Sequence, residues 1–492
     1  MSRMRAVAPL QPRWYWLASI PVLAGLCWVV AGWQTGLLTG LLASIPGLLL
    51  LASGVALVLW PGDRQITHFM ALGAVLGVPV AVLCVFSLGF LASVAFIALG
   101  LASLLVAGHM ALVEEPRDPR LPDIDLSPGM AAKAATDEAL LAYFIATANL
   151  PNGARIDRDH EEIEQATATL EQYGYLDNPA GFHETPGCPE DVEVAPGEGG
   201  GQHFEHVQFE SRFQARGELP GGQRWLDREA NQRMHAWMFR HADGPRPWLI
   251  CVHGYRMGRP LLDFSLFNID YLHRRLGLNL LMPVLPLHGP RKAFSRSGSG
   301  FLDGNLVDML HAETQALWDL RRTLAWLRQQ HAPQAMGLLG YSLGGYNAAL
   351  LSAFEDDLDC VIAGIPLTDM ADAVWQHLPL LHRRYIETAG ISLADARRLL
   401  QVVSPLGMNC RVAHDRRFIF AATGDQIVPP EQAHRLWQHW GQPEMHWYQG
   451  SHLSVRRERS ACQFMTAALG RGGLLPTRES GPARAGRAAG CS

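Results

Sequence analysis

An almost uncharged stretch near the start of the chain constrains what this protein can fold into more than any other feature. Between residues 14 and 110 only Asp63 and Arg64 carry a formal charge, in a chain of 492 residues with a net charge of −5. One helix needs about 20 apolar residues to cross a bilayer. Because a backbone in lipid must satisfy its own hydrogen bonds, we expect this region to form several transmembrane helices.

Polar breaks divide the apolar region into segments. Gln34 and Thr35 make the first break, and Pro, Gly, Asp, Arg and Gln at residues 61–65 make the second. The apolar run that follows is too long for one span and divides most easily at residues 87–89. The sequence therefore predicts four transmembrane helices in two hairpins, at residues 14–33, 36–60, 66–86 and 89–110.

The positions of the arginines predict the orientation of these helices. With four helices, every flanking arginine falls on one side of the membrane: Arg3, Arg5, Arg13, Arg64, Arg117 and Arg120. Basic residues favour the cytoplasmic side, so both the N-terminus at 1–13 and the chain beyond residue 110 are predicted to be cytoplasmic, at a bacterial-type inner membrane. Three helices would place the C-terminal part outside. A cleaved signal peptide is disfavoured, because no small-residue cleavage site ends a short apolar core.

Beyond the membrane region, residues 111–202 are predicted to be a linker and a helical connector. The acidic run at 157–164 is interpreted as a solvated helix face rather than a metal site, because no other cluster of ligand-type residues converges on it. Residues 176–202 are rich in Gly, Pro and Glu and are predicted to be a loop. The tail at 471–492 is predicted to be disordered.

Residues 203–470 predict one α/β domain. Short apolar runs alternate with longer amphipathic ones, which favours a mostly parallel sheet with helices on both faces. Residues 367–415 interrupt this alternation with helices of their own and predict a cap over an active site. The predicted strands lie at 206–209, 235–239, 248–252, 278–284, 335–339, 360–365 and 418–422.

Composition argues against several kinds of function. The chain has no basic stripe for binding nucleic acid, no loop typical of phosphate binding and no Cys or His spacing typical of a metal site. No cofactor and no metal are therefore predicted. The eight cysteines are scattered, so reduced, structural thiols are expected.

Ser342 is the predicted nucleophile. It lies in the motif Gly-Tyr-Ser-Leu-Gly-Gly at 340–345, after a predicted strand and before a predicted helix. A tight turn from strand to helix needs small neighbours. It lifts the serine hydroxyl above the sheet, and the helix N-terminus beneath favours developing negative charge.

A serine hydroxyl needs a base, so a carboxylate and a histidine should follow in the chain order Ser, acid, His. Asp425 lies in the loop after the predicted strand 418–422, and His452 lies in the loop after the last strand. An alternative role for Asp425 is to cap the following helix. His446 competes with His452 but lies within the preceding strand. The preferred interpretation is a triad of Ser342, Asp425 and His452.

The oxyanion formed in such a reaction needs two hydrogen-bond donors. One is predicted to be the backbone N–H of Leu343, directly after the nucleophile. The other is predicted to be the backbone N–H of Tyr255, in the loop after the strand 248–252. His253, in the same loop, is interpreted as structural, and His288 is left outside the catalytic set.

Four motifs in this order resemble those of the α/β-hydrolase superfamily: His-Gly at 253–254, Gly-Tyr-Ser-Leu-Gly-Gly at 340–345, Thr-Gly-Asp-x-x-Val-Pro at 423–429 and Gly-Ser-His at 450–452. The stretch 285–291 also resembles a motif of its esterase/dienelactone-hydrolase-like and acyl-peptidase-like members. The resemblance covers about residues 203–470. It implies an eight-stranded, mostly parallel sheet and hydrolysis of an ester, thioester or amide. A lipase-type His-Gly-Gly-Gly run is missing, so a membrane anchor alone does not indicate a lipase.

Three functions stay open on the sequence alone. The first is a membrane-anchored serine hydrolase, foremost a carboxylic-ester hydrolase, that forms an acyl-enzyme with a small-molecule or lipid-like acyl substrate. The second is an acyltransferase with the same triad, in which an alcohol or amine replaces water. The third is a non-catalytic membrane sensor or scaffold, against which the complete triad argues. The predicted partners are the acyl substrate and the lipid bilayer, with no nucleic acid.

Overall fold

Apolar helices come first in the structure, as the sequence predicts. The computed structural model describes residues 16–114, 117–148 and 153–475. The predicted cytoplasmic N-terminus at 1–13, and residues 476–492 of the predicted disordered tail, lie outside the described residues.

The chain divides into two units. The first unit comprises Met1–Thr147, Ala422–Pro430 and Trp447–Val455, and the second comprises Ala148–Ala421, Glu431–His446 and Arg456–Ser492. Two short segments far along the chain therefore belong to the same unit as the apolar helices. The domain limits expected from the sequence, at residues 110, 202 and 470, stay predictions.

The described helices of the first unit are α1 (Ser19–Thr35), α2 (Leu37–Leu59), α3 (Arg64–Leu83), α4 (Val85–Leu88), α5 (Phe90–Glu114) and α6 (Pro128–Ala146). Within the described residues, four of them are long and apolar enough to cross a membrane, namely α1, α2, α3 and α5. This is the number of helices that the sequence predicts.

Local chemistry explains where these helices begin. The Asp63 carboxylate accepts a hydrogen bond from the backbone N–H of Gln65 at 3.0 Å and so caps the start of α3. The break predicted at residues 87–89 falls at Gly89, whose φ of 85° lies in a region that favours glycine. A charged turn marks the first of these boundaries, whereas only a glycine marks the second.

Small residues let the apolar helices approach one another closely. A Cβ atom at Gly25 would lie 2.5 Å from the backbone nitrogen of Leu51, and the rings of Trp28 and Phe96 stack with centroids 4.6 Å apart. Close packing at small residues is typical of helices in membranes. Large apolar side chains of the same region are exposed, among them Leu38 (72%), Phe86 (100%) and Leu91 (82%). Exposed apolar surface of this kind marks a site of interaction.

The described strands are β1 (Glu193–Gly199), β2 (Gln202–Glu210), β3 (Arg233–Phe239), β4 (Trp248–Val252), β5 (Asn279–Pro283), β6 (Met336–Tyr341), β7 (Cys360–Gly364), β8 (Arg417–Ala422) and β9 (Glu444–Tyr448). They form one sheet in the order β1-β2-β3-β5-β4-β6-β7-β8-β9. The pairs from β1 to β5 are antiparallel, and the pairs from β5 through β4, β6 and β7 to β8 are parallel. Every residue of β4, β5 and β7 is buried, as in parallel sheets covered on both faces. The predicted α/β-hydrolase fold class, preceded by an all-α region, is confirmed.

The described sheet has nine strands, one more than predicted. The prediction of a loop at 176–202 is wrong at β1, which lies at the edge of the sheet and is mostly exposed. Edge strands tolerate proline and glycine, because one side of the strand has no ladder to complete. Pro196 and the glycines of β1 therefore give an edge strand the composition of a loop.

The described helices of the second unit are α7 (Gly153–Gln172), α8 (Gly222–Leu226), α9 (Pro260–Leu266), α10 (Leu306–His331), α11 (Leu343–Leu351), α12 (Met370–His377), α13 (Leu380–Thr388), α14 (Leu393–Leu399), α15 (Pro430–His439) and α16 (Arg459–Arg471). Helices α12 to α14 occupy the segment 367–415, whose role as a cap stays a prediction.

The acidic run on α7 is only partly a solvated face. Asp159 is buried and accepts a hydrogen bond from the Asn305 side chain at 2.6 Å. Glu162 forms an ion pair with Arg224 at 2.7 Å. The solvated-face interpretation is wrong for these two carboxylates, which tie α7 to the starts of α8 and α10.

Most of the described cysteines match the expectation of free thiols. The free cysteines are Cys27, Cys84, Cys188, Cys251, Cys360 and Cys410. Cys462, on α16, is disulfide-bonded, so the expectation is wrong at that position. No paired spacing in the sequence marks it.

Candidate active site

Ser342 lies at a sharp turn between β6 and α11. Its φ of 59° and ψ of −118° are unusual for a residue with a side chain. Its backbone N–H donates to the carbonyl oxygen of Gly364, on β7, at 3.0 Å. Strained backbone held in place by its surroundings is concentrated at functional sites. The turn has the form of the nucleophile elbow that the sequence motif predicts.

The glycines of the motif are required by close packing around this turn. A Cβ atom at Gly340 would lie 2.0 Å from the carbonyl oxygen of Gly344. A Cβ atom at Gly344 would lie 1.9 Å from the carbonyl oxygen of Val252, and one at Gly345 would lie 2.9 Å from the Cα of Pro366. No side chain fits at these positions without moving the backbone, so the motif specifies the turn sterically.

The two predicted oxyanion donors lie on the segments that flank Ser342. Leu343 is the first residue of α11, where a helix leaves its N–H groups without intrahelical acceptors. Gly254, directly before Tyr255, lies beside Ser342: a Cβ atom there would be in van der Waals contact with the Cβ of Ser342, at 3.5 Å. The loop that carries Tyr255 therefore runs beside the serine. The roles of both N–H groups stay predictions.

His253 has the structural contacts expected of it. Its Nδ1 lies 2.8 Å from the carbonyl oxygen of Gly254, and its Nε2 accepts a hydrogen bond from the backbone N–H of Leu285 at 3.2 Å. Both ring nitrogens are thus engaged with backbone groups. His253 joins the loop after β4 to the segment after β5 and supports the position of Tyr255.

Asp425 and His452 form a hydrogen-bonded pair. Nδ1 of His452 donates to Oδ2 of Asp425 at 2.7 Å. The other carboxylate oxygen accepts from the backbone N–H groups of Ile427 at 3.0 Å and Val428 at 2.8 Å. The carboxylate is therefore held from both sides, and the tautomer of the imidazole that it selects leaves Nε2 free of a proton.

A third carboxylate, which sequence reasoning missed, contacts this pair. Asp137, on α6, is completely buried and accepts a hydrogen bond from the backbone N–H of His452 at 2.8 Å. It follows no recognised motif. The only signal in the sequence is its place beside Glu138, directly before an apolar helical run, where charged residues are not expected.

The pKa values of His452 and Asp137 depend on each other. Burial lowers the pKa of His452, but the charge and hydrogen bond of Asp425 and the charge of Asp137 outweigh it, so the pKa lies above its ordinary value. Burial and the charge of Asp425 raise the pKa of Asp137 to about 7, against the lowering effect of His452 and of its hydrogen bonds to the backbone. The imidazolium form of His452 is thus stabilised by two carboxylates.

The structure groups the predicted site residues in two places. Ser342, Leu343 and Tyr255 belong to the second unit, and Asp425 and His452 belong to the first. Among the described residues, no group of three or more His, Cys, Asp or Glu side chains could hold a metal ion.

A strained serine turn, a largely parallel sheet and an acid–histidine pair together define a protein with the α/β-hydrolase fold. No protein-family model matches the chain. Two proteins of Mycobacterium tuberculosis match it closely: uncharacterized protein Rv2627c is 39% identical over 350 residues, and uncharacterized protein MT2702 is 38% identical over 347 residues. Each alignment covers 70% of this chain and 83% of the relative. The chain belongs to the same family as these two proteins.

Solved structures similar to the chain include two acetyl xylan esterases. The enzyme from a Paenibacillus species has 16% identity and a TM-score of 0.41, and the alignment covers 60% of this chain and 93% of that one. The enzyme from a Thermoanaerobacterium species has 15% identity and a TM-score of 0.41, with 65% and 96% covered.

Proposed function

We propose that this protein is a membrane-anchored serine hydrolase that cleaves an ester, thioester or amide through an acyl-enzyme on Ser342. The observation that carries the proposal is the hydrogen bond of 2.7 Å between Asp425 and His452. The buried acid of a catalytic triad accepts from Nδ1 in this way, fixes the tautomer of the imidazole and stabilises its cation. The strained turn at Ser342 supplies the matching nucleophile.

The three residues follow strands of the sheet in the chain order that the proposed triad requires. Ser342 follows β6, Asp425 follows β8 and His452 follows β9. Strands β6, β7 and β8 are parallel neighbours, so their carboxyl ends share one edge of the sheet. Ligands of open α/β sheets bind at that edge.

In the proposed reaction, Nε2 of His452 takes the proton of the Ser342 hydroxyl as the oxygen attacks the substrate carbonyl carbon. The N–H groups of Leu343 and Tyr255 stabilise the resulting oxyanion. The imidazolium returns the proton to the leaving group, and the bond between the carbonyl carbon and that group breaks. His452 then deprotonates a water molecule, which attacks the acyl carbon. The bond between that carbon and the Ser342 oxygen breaks, the imidazolium returns the proton to the oxygen, and the acid is released.

The proposal is tested by labelling with a fluorophosphonate in isolated membranes. Ser342→Ala is expected to abolish labelling, because the probe forms its bond with the activated serine. Ser295→Ala, which removes an exposed hydroxyl, is the matched control and should label as the wild type does. Undiminished labelling of the folded Ser342→Ala variant would overturn the assignment of the nucleophile.

Asp425→Asn tests the acid in the same membranes, with a p-nitrophenyl ester as substrate. The amide would lose the charge that stabilises the imidazolium and would disfavour the active tautomer, so kcat should fall roughly 10³- to 10⁴-fold. A kcat close to wild type would mean that another carboxylate serves His452. Product analysis with added alcohols or amines separates hydrolysis from acyl transfer.

A further inference from the structure

Asp137, in the first unit, is a buried carboxylate to which the proposed reaction assigns no role. The side chain lies on α6, directly after the apolar helices, and is completely buried. Its carboxylate accepts four hydrogen bonds: from Oγ of Ser451 at 2.9 Å, and from the backbone N–H groups of His452 at 2.8 Å, Leu453 at 3.1 Å and Gln426 at 3.2 Å. A buried charge is costly unless its hydrogen bonds are satisfied, and here each oxygen has two donors.

These four donors come from the two loops that carry the acid and the base. Gln426 is next in the chain to Asp425, whereas Ser451 and Leu453 flank His452. One carboxylate therefore joins the two loops at the residues that adjoin the catalytic pair. The distance and orientation between Asp425 and His452 depend on this link as well as on their own hydrogen bond.

Other residues of the membrane-linked segments hold the same loops. Arg64, at the start of α3, donates to the carbonyl oxygen of Gln426 at 3.1 Å. Arg117 donates to the carbonyl oxygen of Thr423 at 2.6 Å, and Lys133, on α6, donates to that of Gln449 at 3.0 Å. This explains why segments 422–430 and 447–455 belong to the unit of the apolar helices rather than to that of the sheet.

We propose that Asp137 is a positioning residue for the hydrolase reaction, and that the part of the first unit that contains the apolar helices and α6 sets the geometry of the Asp425–His452 pair. The inference rests on the proposed function. Asp137 touches neither the substrate nor the reacting atoms. It acts by holding the backbone of His452, while its charge adds to that of Asp425 beside the ring. The apolar helices are then part of the catalytic apparatus as well as its anchor.

The test uses the full-length protein in membranes and hydrolysis of a p-nitrophenyl ester. Asp137→Asn keeps the shape of the side chain but places an amide N–H₂ against N–H donors, so the loops must shift. Because small displacements of catalytic groups cost about 10²-fold in rate, kcat should fall roughly 10- to 100-fold with little change in KM. Asp123→Asn, the same change at an exposed carboxylate before α6, should leave kcat unchanged.

The pH profile of kcat/KM distinguishes a positioning role of Asp137 from a role in folding stability alone. Removing the charge of Asp137 should move the acidic limb of kcat/KM to lower pH, because His452 would lose a stabilising neighbour of its cation. A role confined to folding would reduce the amount of active enzyme without moving the limb. An Asp137→Asn enzyme with wild-type kcat and an unmoved limb would overturn the inference.

Ser451→Ala keeps the test decisive if Asp137→Asn does not fold. It removes one of the four donors and leaves the carboxylate and the backbone intact. We expect a fall in kcat of several-fold with an unchanged KM, and an unchanged kcat would count against the inference. If the wild type neither labels with fluorophosphonate nor cleaves the ester, the proposed function fails and the inference fails with it. If the wild type is active and both variants match it, only the inference fails.

Discussion

His452 must be neutral to accept the proton of Ser342, so its pKa sets the acidic limit of the proposed reaction. Burial lowers that pKa, but Asp425 and Asp137 raise it above its ordinary value. The fraction of neutral imidazole therefore grows as the pH rises through a value above about 6.5. We expect kcat/KM for the ester to fall on the acidic side with a midpoint above about 6.5. A pH–rate profile of the membrane-bound wild type measures it, and a midpoint below that value would contradict the assigned neighbours.

Single residues could be predicted from the sequence where their neighbours in the chain define their chemistry. Ser342 and the glycines around it form such a local motif, because the turn itself requires those residue types. Asp425 and His452 could be placed because each lies in the loop that follows a strand, β8 for Asp425 and β9 for His452. Asp137 could not, because its partners lie 289 to 316 positions away in the chain. No periodicity or spacing reports a contact over that separation.

Helices α5 and α6 meet at a point where only glycine fits. A Cβ atom at Gly108, on α5, would lie 1.8 Å from the carbonyl oxygen of Ala131 and 2.8 Å from the backbone nitrogen of Ala135, both on α6. Gly108→Ala must therefore push α6 away from α5 and move Asp137 with it. Overpacking of this kind costs about 1–3 kcal/mol. We expect a loss of ester hydrolysis of about tenfold or more in membranes.

Gly100 provides the matched control for this contact between helices. It lies on α5 as well, but a Cβ atom there would be 3.5 Å from the carbonyl oxygen of Ala74, an ordinary contact distance. Gly100→Ala should hydrolyse the ester at the wild-type rate. Equal activity of the Gly108 and Gly100 variants would show that the position of α6 does not matter for the reaction.

Elements could be predicted from the sequence where hydrophobic pattern and position in the fold agree. The buried strands β4, β5 and β7 are apolar except for Asn279 at the start of β5, and the four long apolar helices have the length of a membrane span. Edge strand β1 could not be predicted from the sequence. Because the strand is mostly exposed, it lacks the pattern of apolar residues on which strand prediction depends. Helix α6 was recognisable as a helix, but its pattern did not indicate that it holds the loops of Asp425 and His452.

For the whole molecule, the orientation in the membrane decides where the substrate is found. Glu138, on α6, accepts a hydrogen bond from Oγ1 of Thr67 at 2.6 Å and contacts His68, both near the start of α3. The chain after α5 thus returns to the end of the bundle at which α3 begins. Together with the arginines on that side, this favours a cytoplasmic hydrolase domain. The disulfide at Cys462 favours the opposite side, because disulfides are rare in the cytoplasm.

Reporter fusions resolve these opposing signals. Flanking arginines determine the topology while the helices insert, so we expect them to prevail over the signal from the single cysteine on α16. Alkaline phosphatase, which is active only outside the cytoplasm, should therefore be silent in a Gram-negative host when fused after Ser492. The same reporter placed between Gln34 and Thr35 should be active, because that site lies at the C-terminal end of α1, directly before Gly36 and the start of α2. A strong signal from the C-terminal fusion would require an odd number of membrane crossings. It would place the Asp425–His452 loops, with the substrate they serve, on the outer face, where Cys462 is expected to be oxidised.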